Sequence, residues 1–261
     1  FKGAWTAMWL HRMGAHVSGI ALPPDQPSLY GLLGLDRLIQ SHLVDLRDGP
    51  ALVGAIKAAD PEIVLHMAAQ PLVRQSFAQP IASFAVNVLG TVHVLDALRE
   101  VKDLSTVLVV TTDKVYHNDE SGRPHRECDR LGGRDPYAAS KAACEIVTAS
   151  MAHSFLAPRG VAVATARAGN VIGGGDFAAD RLIPDLVRSA RSGQRPVLRN
   201  PDATRPWQHV LDCVCGYLIY AANLASGRTL PLTLNFGPRD EEQATVRQVA
   251  DAMLQALDAP A

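Results

Sequence analysis

Tyr137 and Lys141 stand four residues apart in the segment DPYAASKA (135–142). On a helix that spacing puts a phenol and an ammonium on one face. A Lys beside a Tyr stabilises phenolate and lowers the phenol pKa toward working pH. Such a Tyr can take the proton of an alcohol hydroxyl while a nicotinamide accepts the hydride. A solvated surface pair has the same spacing, so these two residues do not decide the matter alone. Thr111, Thr112, Asp113 and Lys114 follow the β-branched run Ser105–Val110 and bring hydroxyl, carboxyl and amine together. That set suits acid–base chemistry, although a polar turn has the same composition. His66, Met67, Ala68, Ala69 and Gln70 follow Glu62–Leu65. Two small residues there let a flat cofactor approach the backbone, or simply let strand and helix pack tightly. The three groups come in succession, each behind its own sheet element, and together point to one ligand site.

The elements that must hold them are legible. Ala15–Ala21, Glu62–His66, Ser105–Thr111 and Val161–Ala168 read as strands, the third continuous enough to be buried on both faces. Gly3–Met13, Gly49–Ala59, Pro80–Val101 and Pro136–Phe155 read as helices between them. Alternation of this kind predicts βαβ units and a parallel sheet with helices on both faces. In open sheets of that class ligands sit beyond the carboxyl ends of the strands, where the Thr-Asp-Lys and Ala-Ala groups fall. Past Asn170, helices over Asp180–Ser192, Asp212–Leu224 and Val246–Leu257 mix with short strands, Gly and Pro, as in a smaller lobe. The fold class is therefore α/β, a doubly wound parallel sheet of Rossmann type with a smaller, incomplete C-terminal lobe. The expected division is 1–169 for dinucleotide binding and 170–261 for a partial substrate lobe interleaved with it.

Composition excludes other classes. The chain has 261 residues, 48% apolar and 20% charged, so it is not a disordered chain. With 25 Lys and Arg against 26 Asp and Glu it has no basic footprint for nucleic acid. No uninterrupted apolar run approaches the ~20 residues of a membrane span. Four cysteines make no disulfide framework and no metal site is expected; the thiols fit a reducing cytoplasm.

On the stretches FKGAW (1–5), PSLY (27–30), HMAAQPLVRQSF (66–77), NVLGT (87–91), TTDKVY (111–116), DPYAASKA (135–142), ARAGNVIGGGDFAADRLIPD (166–185) and RPWQHVLD (205–212), the chain resembles the extended short-chain dehydrogenase/reductases. Within them it is similar to the nucleotide-sugar 4,6-dehydratases, in the branch that acts on CDP-glucose. The resemblance runs over essentially the whole length. It implies that Phe1, Lys2 and Gly3 close a Gly-rich turn whose first strand and two glycines are expected to be missing here.

The resemblance implies a hydro-lyase with tightly bound NAD and a CDP-hexose substrate, no nucleic-acid or membrane partner, and assembly as a dimer or tetramer. Tyr137 would act as base at the carbon 4 hydroxyl. Lys141 would hold the nicotinamide ribose, Thr112 would bond the carbon 4 oxygen, and Asp113 would be the acid toward the departing carbon 6 hydroxyl. Lys114 stands where most of these enzymes have Glu. It is either the base at carbon 5 or a stabiliser of enolate charge. Cofactor contacts are implied at Phe1, Lys2, Gly3, Asp45, Leu46, Ala68, Ala69, Gln70, Asn87, Tyr137 and Lys141. Substrate contacts are implied at Arg74, Asn170, Arg181, Leu182, Arg205 and Arg239. The residues after Ile20, Ala-Leu-Pro-Pro-Asp, carry no cation for a 2′-phosphate, which favours NAD over NADP. Two readings compete: another nucleotide-sugar 4,6-dehydratase or a 4-epimerase, and a truncated, non-catalytic nucleotide-binding protein.

Overall fold

A computed structural model describes residues 1–239 and 243–258. The chain enters through α1 (Lys2–Arg12) and proceeds to β1 (Ser18–Ala21), β2 (Gln40–Leu43), α2 (Gly49–Ala59) and β3 (Ile63–His66). Then come α3 (Pro80–Glu100), β4 (Thr106–Val110), α4 (Pro136–Met151) and β5 (Ala162–Ala168). β3, β4 and β5 pair in parallel and in that order, and β9 (Thr233–Phe236) adds a fourth parallel strand beside β5. β1 and β2 form a separate parallel ladder.

β4 shows why this sheet needs cover on both faces. All five of its residues are buried. Val107 and Val109 point to one side, into a cluster with Leu52, Ile56, Leu95 and Leu98 from α2 and α3. Leu108 and Val110 point to the other, against Cys213, Tyr217 and Ala221 of α6 (Val210–Ala225). Successive strand residues face opposite ways, so an unbroken apolar run is the signature of two covered faces.

The helices start where the sequence caps them. Asp135 accepts a hydrogen bond from the Ala138 amide ahead of Pro136, the first residue of α4. Asp48 does the same for α2 through Ala51. Such caps contribute about 1 kcal/mol each. α1 differs: Phe1 stands at its N-cap position and no side chain caps it. No strand stands ahead of α1 in this structure.

α3 spans 21 residues and is apolar enough in length and composition to cross a bilayer, which corrects the expectation that nothing in the chain approaches a span. Here it packs as a core helix, with Val94, Leu95, Ala97 and Leu98 buried. Its middle, Ala85–Leu89, is a π-helical turn. The insertion of such a turn re-aims the side chains on it, and it carries Asn87.

The later part of the chain supplies the short ladder β6 (Asn170–Ile172) with β8 (Trp207–His209) and the pair β7 (Thr204–Arg205) with β10 (Ala244–Thr245). α5 (Leu182–Ser192) and α7 (Val246–Ala256) pack through Leu186, Ala250 and Leu254. Thr245 and Gln248 form a reciprocal capping box at the start of α7. Because β9 joins the main sheet and α6 covers one of its faces, residues beyond 169 contribute to the same core. The strand over 233–236 is absent from the sequence-based reading.

Gly133 fixes the approach to α4. A Cβ there would lie 2.3 Å from the Ala138 carbonyl carbon and 2.4 Å from the Ala139 nitrogen. Backbone cannot yield as a side chain can. Gly133→Ala is expected to cost about 2–3 kcal/mol, measured by urea denaturation; a loss under about 0.5 kcal/mol would mean the turn relaxes.

Candidate active site

A cleft of about 1570 Å³ opens along the carboxyl ends of the sheet strands and runs back between β1 and β3. Its walls include the start of α1, the Ala68–Ala69 turn behind β3, Thr111–Lys114 behind β4, Tyr137, and the segment around Asn170–Ile172 and Asp176–Leu182. The three groups of residues that the sequence singles out therefore meet.

Thr112 to Lys114 form a tight turn at the end of β4. The Thr112 hydroxyl donates to Asp113 Oδ1 at 3.0 Å, and the same oxygen lies 3.9 Å from Lys114 Nζ. Asp113 and Lys114 are both partly exposed to the cleft. Their arrangement offers an acid, an amine and a hydroxyl within one turn.

The phenol of Tyr137 feels this turn. Burial pushes it up to about 12; the Thr112 hydroxyl works against the shift and the charge of Asp113 adds to it. The sequence argument had the neighbouring Lys141 lowering this pKa, and the structure corrects it. Lys141 is buried, and its ammonium donates to the Val110 carbonyl at 2.9 Å. Desolvation then dominates the phenol. Burial also lowers the Lys141 ammonium, while Cys144 and Glu145 oppose the shift.

The start of α1 fits an anion of the size of a dinucleotide diphosphate. Its first turn has no side-chain cap and no acidic residue; the Ala4 and Trp5 amides donate to the Phe1 carbonyl, which leaves those of Lys2 and Gly3 to meet negative charge. A Cβ at Gly3 would meet nothing within 4 Å. Gly3 thus leaves open space rather than accommodating another part of the protein. Lys2 projects inward, with Nζ 3.5 Å from the Tyr217 hydroxyl and 5.5 Å from that ring's centre. Burial lowers its pKa, and the charge of nearby Cys213 opposes the shift. Ala68 and Ala69 line the cleft behind β3, and Ala68 also packs against the core.

Other expected contacts are placed differently. Asn87 and Gln70 are not cleft-lining side chains. Asn87 is fully buried; its Oδ1 accepts from the Gln70 amide at 2.8 Å, and its Nδ2 donates to the Gln70 carbonyl and to Ser140 Oγ. Gln70 spends its own amide on Ser83 and Leu72. These two residues brace the Ala-Ala turn against α4, and every polar atom of the Asn87 side chain has a protein partner. The Asp45 carboxylate faces the cleft but grips Arg47, which holds its pKa below the usual range through hydrogen bonds. Leu46 is buried beneath Gly90, where a Cβ would come within 2.9 Å of it.

Among the expected substrate contacts, Asn170, Arg181 and Leu182 line the cleft. Asn170 Oδ1 is buried without a partner, an acceptor for a ligand hydroxyl or amine. Arg181 is bridged to Asp176 at 2.8 Å. Arg74 is exposed and bridged to Asp180 at 2.7 Å. Arg205 and Arg239 are exposed and are not among the cleft-lining residues. Arg205 sits on a two-residue strand and donates to the Thr204 carbonyl.

Sequence reasoning overlooked Glu145, Arg167 and Tyr116, which are buried directly behind the Thr-Asp-Lys turn. The available signal was an Arg inside the otherwise uncharged strand VAVATARA, since a buried cation requires a partner. No group of three or more metal-ligating side chains exists among the described residues.

His66 closes β3. Its Nε2 lies 3.0 Å from Thr91 Oγ1, and burial pushes its pKa down to about 3, with the charge of Lys141 adding to the shift. The folded ring stays neutral while the unfolded one protonates below about 6.5. Its contribution is present above pH ~6.5 and lost as pH falls toward 3, by on the order of 4 kcal/mol. His66→Gln is expected to flatten the acid limb of a denaturation profile; an unchanged limb would remove His66 as its cause.

The family model for GDP-mannose 4,6 dehydratase matches residues 1–255. CDP-glucose 4,6-dehydratase of Salmonella typhimurium is 46% identical over 97% of this chain and 73% of its own length. dTDP-glucose 4,6-dehydratase of Xanthomonas campestris pv. campestris is 30% identical over 82% of this chain and 60% of its own length. The chain thus spans about three quarters of the first relative and three fifths of the second. Among solved structures, the UDP-glucose 4-epimerase of Thermus thermophilus, in complex with NAD, superposes with a TM-score of 0.84 at 23% identity, covering all of this chain and 81% of its own. The dTDP-glucose 4,6-dehydratase of Bacillus anthracis, also with NAD, gives 0.82 at 20% identity, covering all of this chain and 79% of its own. At these identities the two structures speak to the fold, an α/β parallel sheet.

Proposed function

Because the chain belongs to the GDP-mannose 4,6 dehydratase family, we propose that it is an NAD-dependent hydro-lyase converting CDP-glucose to CDP-4-keto-6-deoxyglucose. The observation that carries this reading is the meeting of Tyr137 with the Thr112-Asp113-Lys114 turn in one cleft, close enough for the phenol to feel the Asp113 charge. A phenol alone suits oxidation of an alcohol. An acid–amine pair beside it suits elimination of water as well. The CDP branch is supported by Lys114 and by the 46% identity to the Salmonella enzyme.

NAD is supported as cofactor by the Lys2 and Gly3 amides at the cleft-lining start of α1, by the small residues Ala68 and Ala69 in the cleft wall, and by the lack of a cation in the residues after β1. When bound, NAD supplies reversible storage of a hydride, so that oxidation at carbon 4 and reduction at carbon 6 cancel. Tyr137 removes the proton of the carbon 4 hydroxyl, and the Thr112 hydroxyl, turning its one proton away from Asp113, donates to the same oxygen. The phenol, pushed up to about 12 in the free protein, needs positive charge nearby to work near neutral pH. Lys141, whose bond to the Val110 carbonyl leaves it further protons, would hold the ribose beside the nicotinamide. A ketone at carbon 4 acidifies the proton on carbon 5. Lys114 takes that proton or stabilises the enolate, and Asp113 protonates the departing carbon 6 hydroxyl. Asn170 and Arg181 face the substrate side of the cleft.

An epimerase reading fits the fold equally, but epimerisation at carbon 4 needs no acid at carbon 6, and Asp113 has no task there. We further propose a cytoplasmic homo-oligomer. The four cysteines are all free. Phe77, Ile81 and Ile146, at 65%, 85% and 62% exposure, leave an apolar surface of the kind that subunits cover.

The test is incubation of the chain with CDP-glucose and NAD, read by nuclear magnetic resonance and cofactor absorbance. A 4-keto-6-deoxy product without net cofactor reduction is expected. Stoichiometric reduction, or consumption of a different nucleotide sugar while CDP-glucose survives, would reject the assignment.

A further inference from the structure

The turn that carries Asp113 and Lys114 is held at both ends by a single buried ion pair that lines no part of the cleft. Glu145 lies on α4, one turn beyond Lys141 and two beyond Tyr137, so the three share a helix face. Each meets a successive residue of the chain leaving β4. Lys141 donates to the Val110 carbonyl, the Thr111 hydroxyl donates to Glu145 Oε1, and Tyr137 faces Thr112. The Glu145 carboxylate is 4% exposed and accepts three further hydrogen bonds: from Thr165 Oγ1 at 2.7 Å and from the Arg167 fork at 2.9 and 3.1 Å. On its other side Arg167 Nη1 donates to the Tyr116 hydroxyl at 2.8 Å and to the Glu127 carbonyl at 3.0 Å. The Tyr116 hydroxyl donates in turn to Asn235 Oδ1 at 2.6 Å.

Thr111 and Tyr116 are thus the two feet of the segment 111–116, and Glu145 and Arg167 hold one foot each. We infer that the Glu145–Arg167 pair is a positioning device that sets the Asp113–Lys114 turn against Tyr137, and that its function is alignment of two catalytic groups on separate elements rather than stability of the core. A buried pair is a poor source of stability, because desolvation of both charges offsets their attraction. Its directional bonds, however, fix geometry well, and misplacement of reacting groups by about 1 Å costs on the order of 100-fold in rate. The inference rests on the proposed dehydration for its catalytic consequence and on the contacts alone for its structural one.

The experiment combines Glu145→Gln with Arg167→Met, which removes both charges together and leaves an amide to meet Thr111 and Thr165. Thr111→Val, which deletes one hydroxyl and keeps the ion pair, is the companion should the double variant fail to fold. Hydrogen exchange, thermal unfolding, kcat and KM are measured on each. The expected result is at least tenfold faster exchange across 112–116, unchanged protection in 106–110 and 49–59, roughly 10–100-fold lower kcat and KM within about threefold. Faster exchange everywhere with a matching fall in melting temperature would make the pair merely structural and overturn the inference. So would unchanged exchange in 112–116. If the unaltered chain does not turn over CDP-glucose, the proposed reaction fails while exchange still decides the positioning role.

Discussion

Tyr137→Phe is expected to lower kcat by roughly 10²–10⁴-fold, the range for loss of a positioned general base, while KM for the nucleotide sugar changes little. The substitution removes one oxygen from a side chain at the head of α4 and leaves the helix cap at Asp135 and the packing of α4 untouched. What disappears is the acceptor for the carbon 4 hydroxyl proton. In energy the loss corresponds to about 3–5 kcal/mol of transition-state stabilisation. Because burial holds the free phenol at about 12, the rate should climb with pH until the phenol ionises in the loaded enzyme, and this limb should vanish in the Phe variant. A loss under tenfold, with the alkaline dependence intact, would take Tyr137 out of the base role.

Asp113→Asn separates the two halves of the reaction. The amide keeps the shape of the turn and can still meet the Thr112 hydroxyl, which donates to Asp113 Oδ1 at 3.0 Å. It cannot deliver a proton. Elimination is therefore expected to slow by roughly 10²–10³-fold, and reduced cofactor should accumulate at a level set by the number of active sites. Exchange of the carbon 5 proton with solvent should persist if Lys114 is the base. It should collapse in Lys114→Met under the same reading, and only slow if Lys114 stabilises the enolate. Equal loss of ketone formation and elimination in the Asn variant would remove Asp113 from the acid role.

The strands that the sequence exposes most clearly are those whose residues have no choice. Thr106–Val110 is buried on both faces, and nothing but a central parallel strand accommodates such a run. β2 and β9 are less legible for the opposite reason. Gln40–Leu43 holds polar residues at three of its four positions and does not alternate, while Thr233–Phe236 alternates over only four residues; neither strand has a fully buried residue to mark it as core. Their place is set by long-range pairing, β9 with β5 and β2 with β1. The π-turn over Ala85–Leu89 is similarly invisible as pattern, since the apolar composition of α3 continues through it.

Residue types and spacing by themselves pointed to Tyr137, Lys141 and the Thr111–Lys114 group as members of one site, and determined that the elements bearing them alternate as a parallel sheet requires. Those are local properties: a helical repeat, a strand period, a turn. Only the tertiary structure decided that Lys141 spends a proton on Val110 while burial raises the phenol, that Asn87 bonds the Gln70 backbone and Ser140, and that Arg205 and Arg239 are exposed outside the cleft lining. It alone paired Glu145 with Arg167 behind the reacting turn. The reason is physical: desolvation and charge pairing depend on neighbours brought together across distant parts of the chain, and spacing along the backbone carries no record of them.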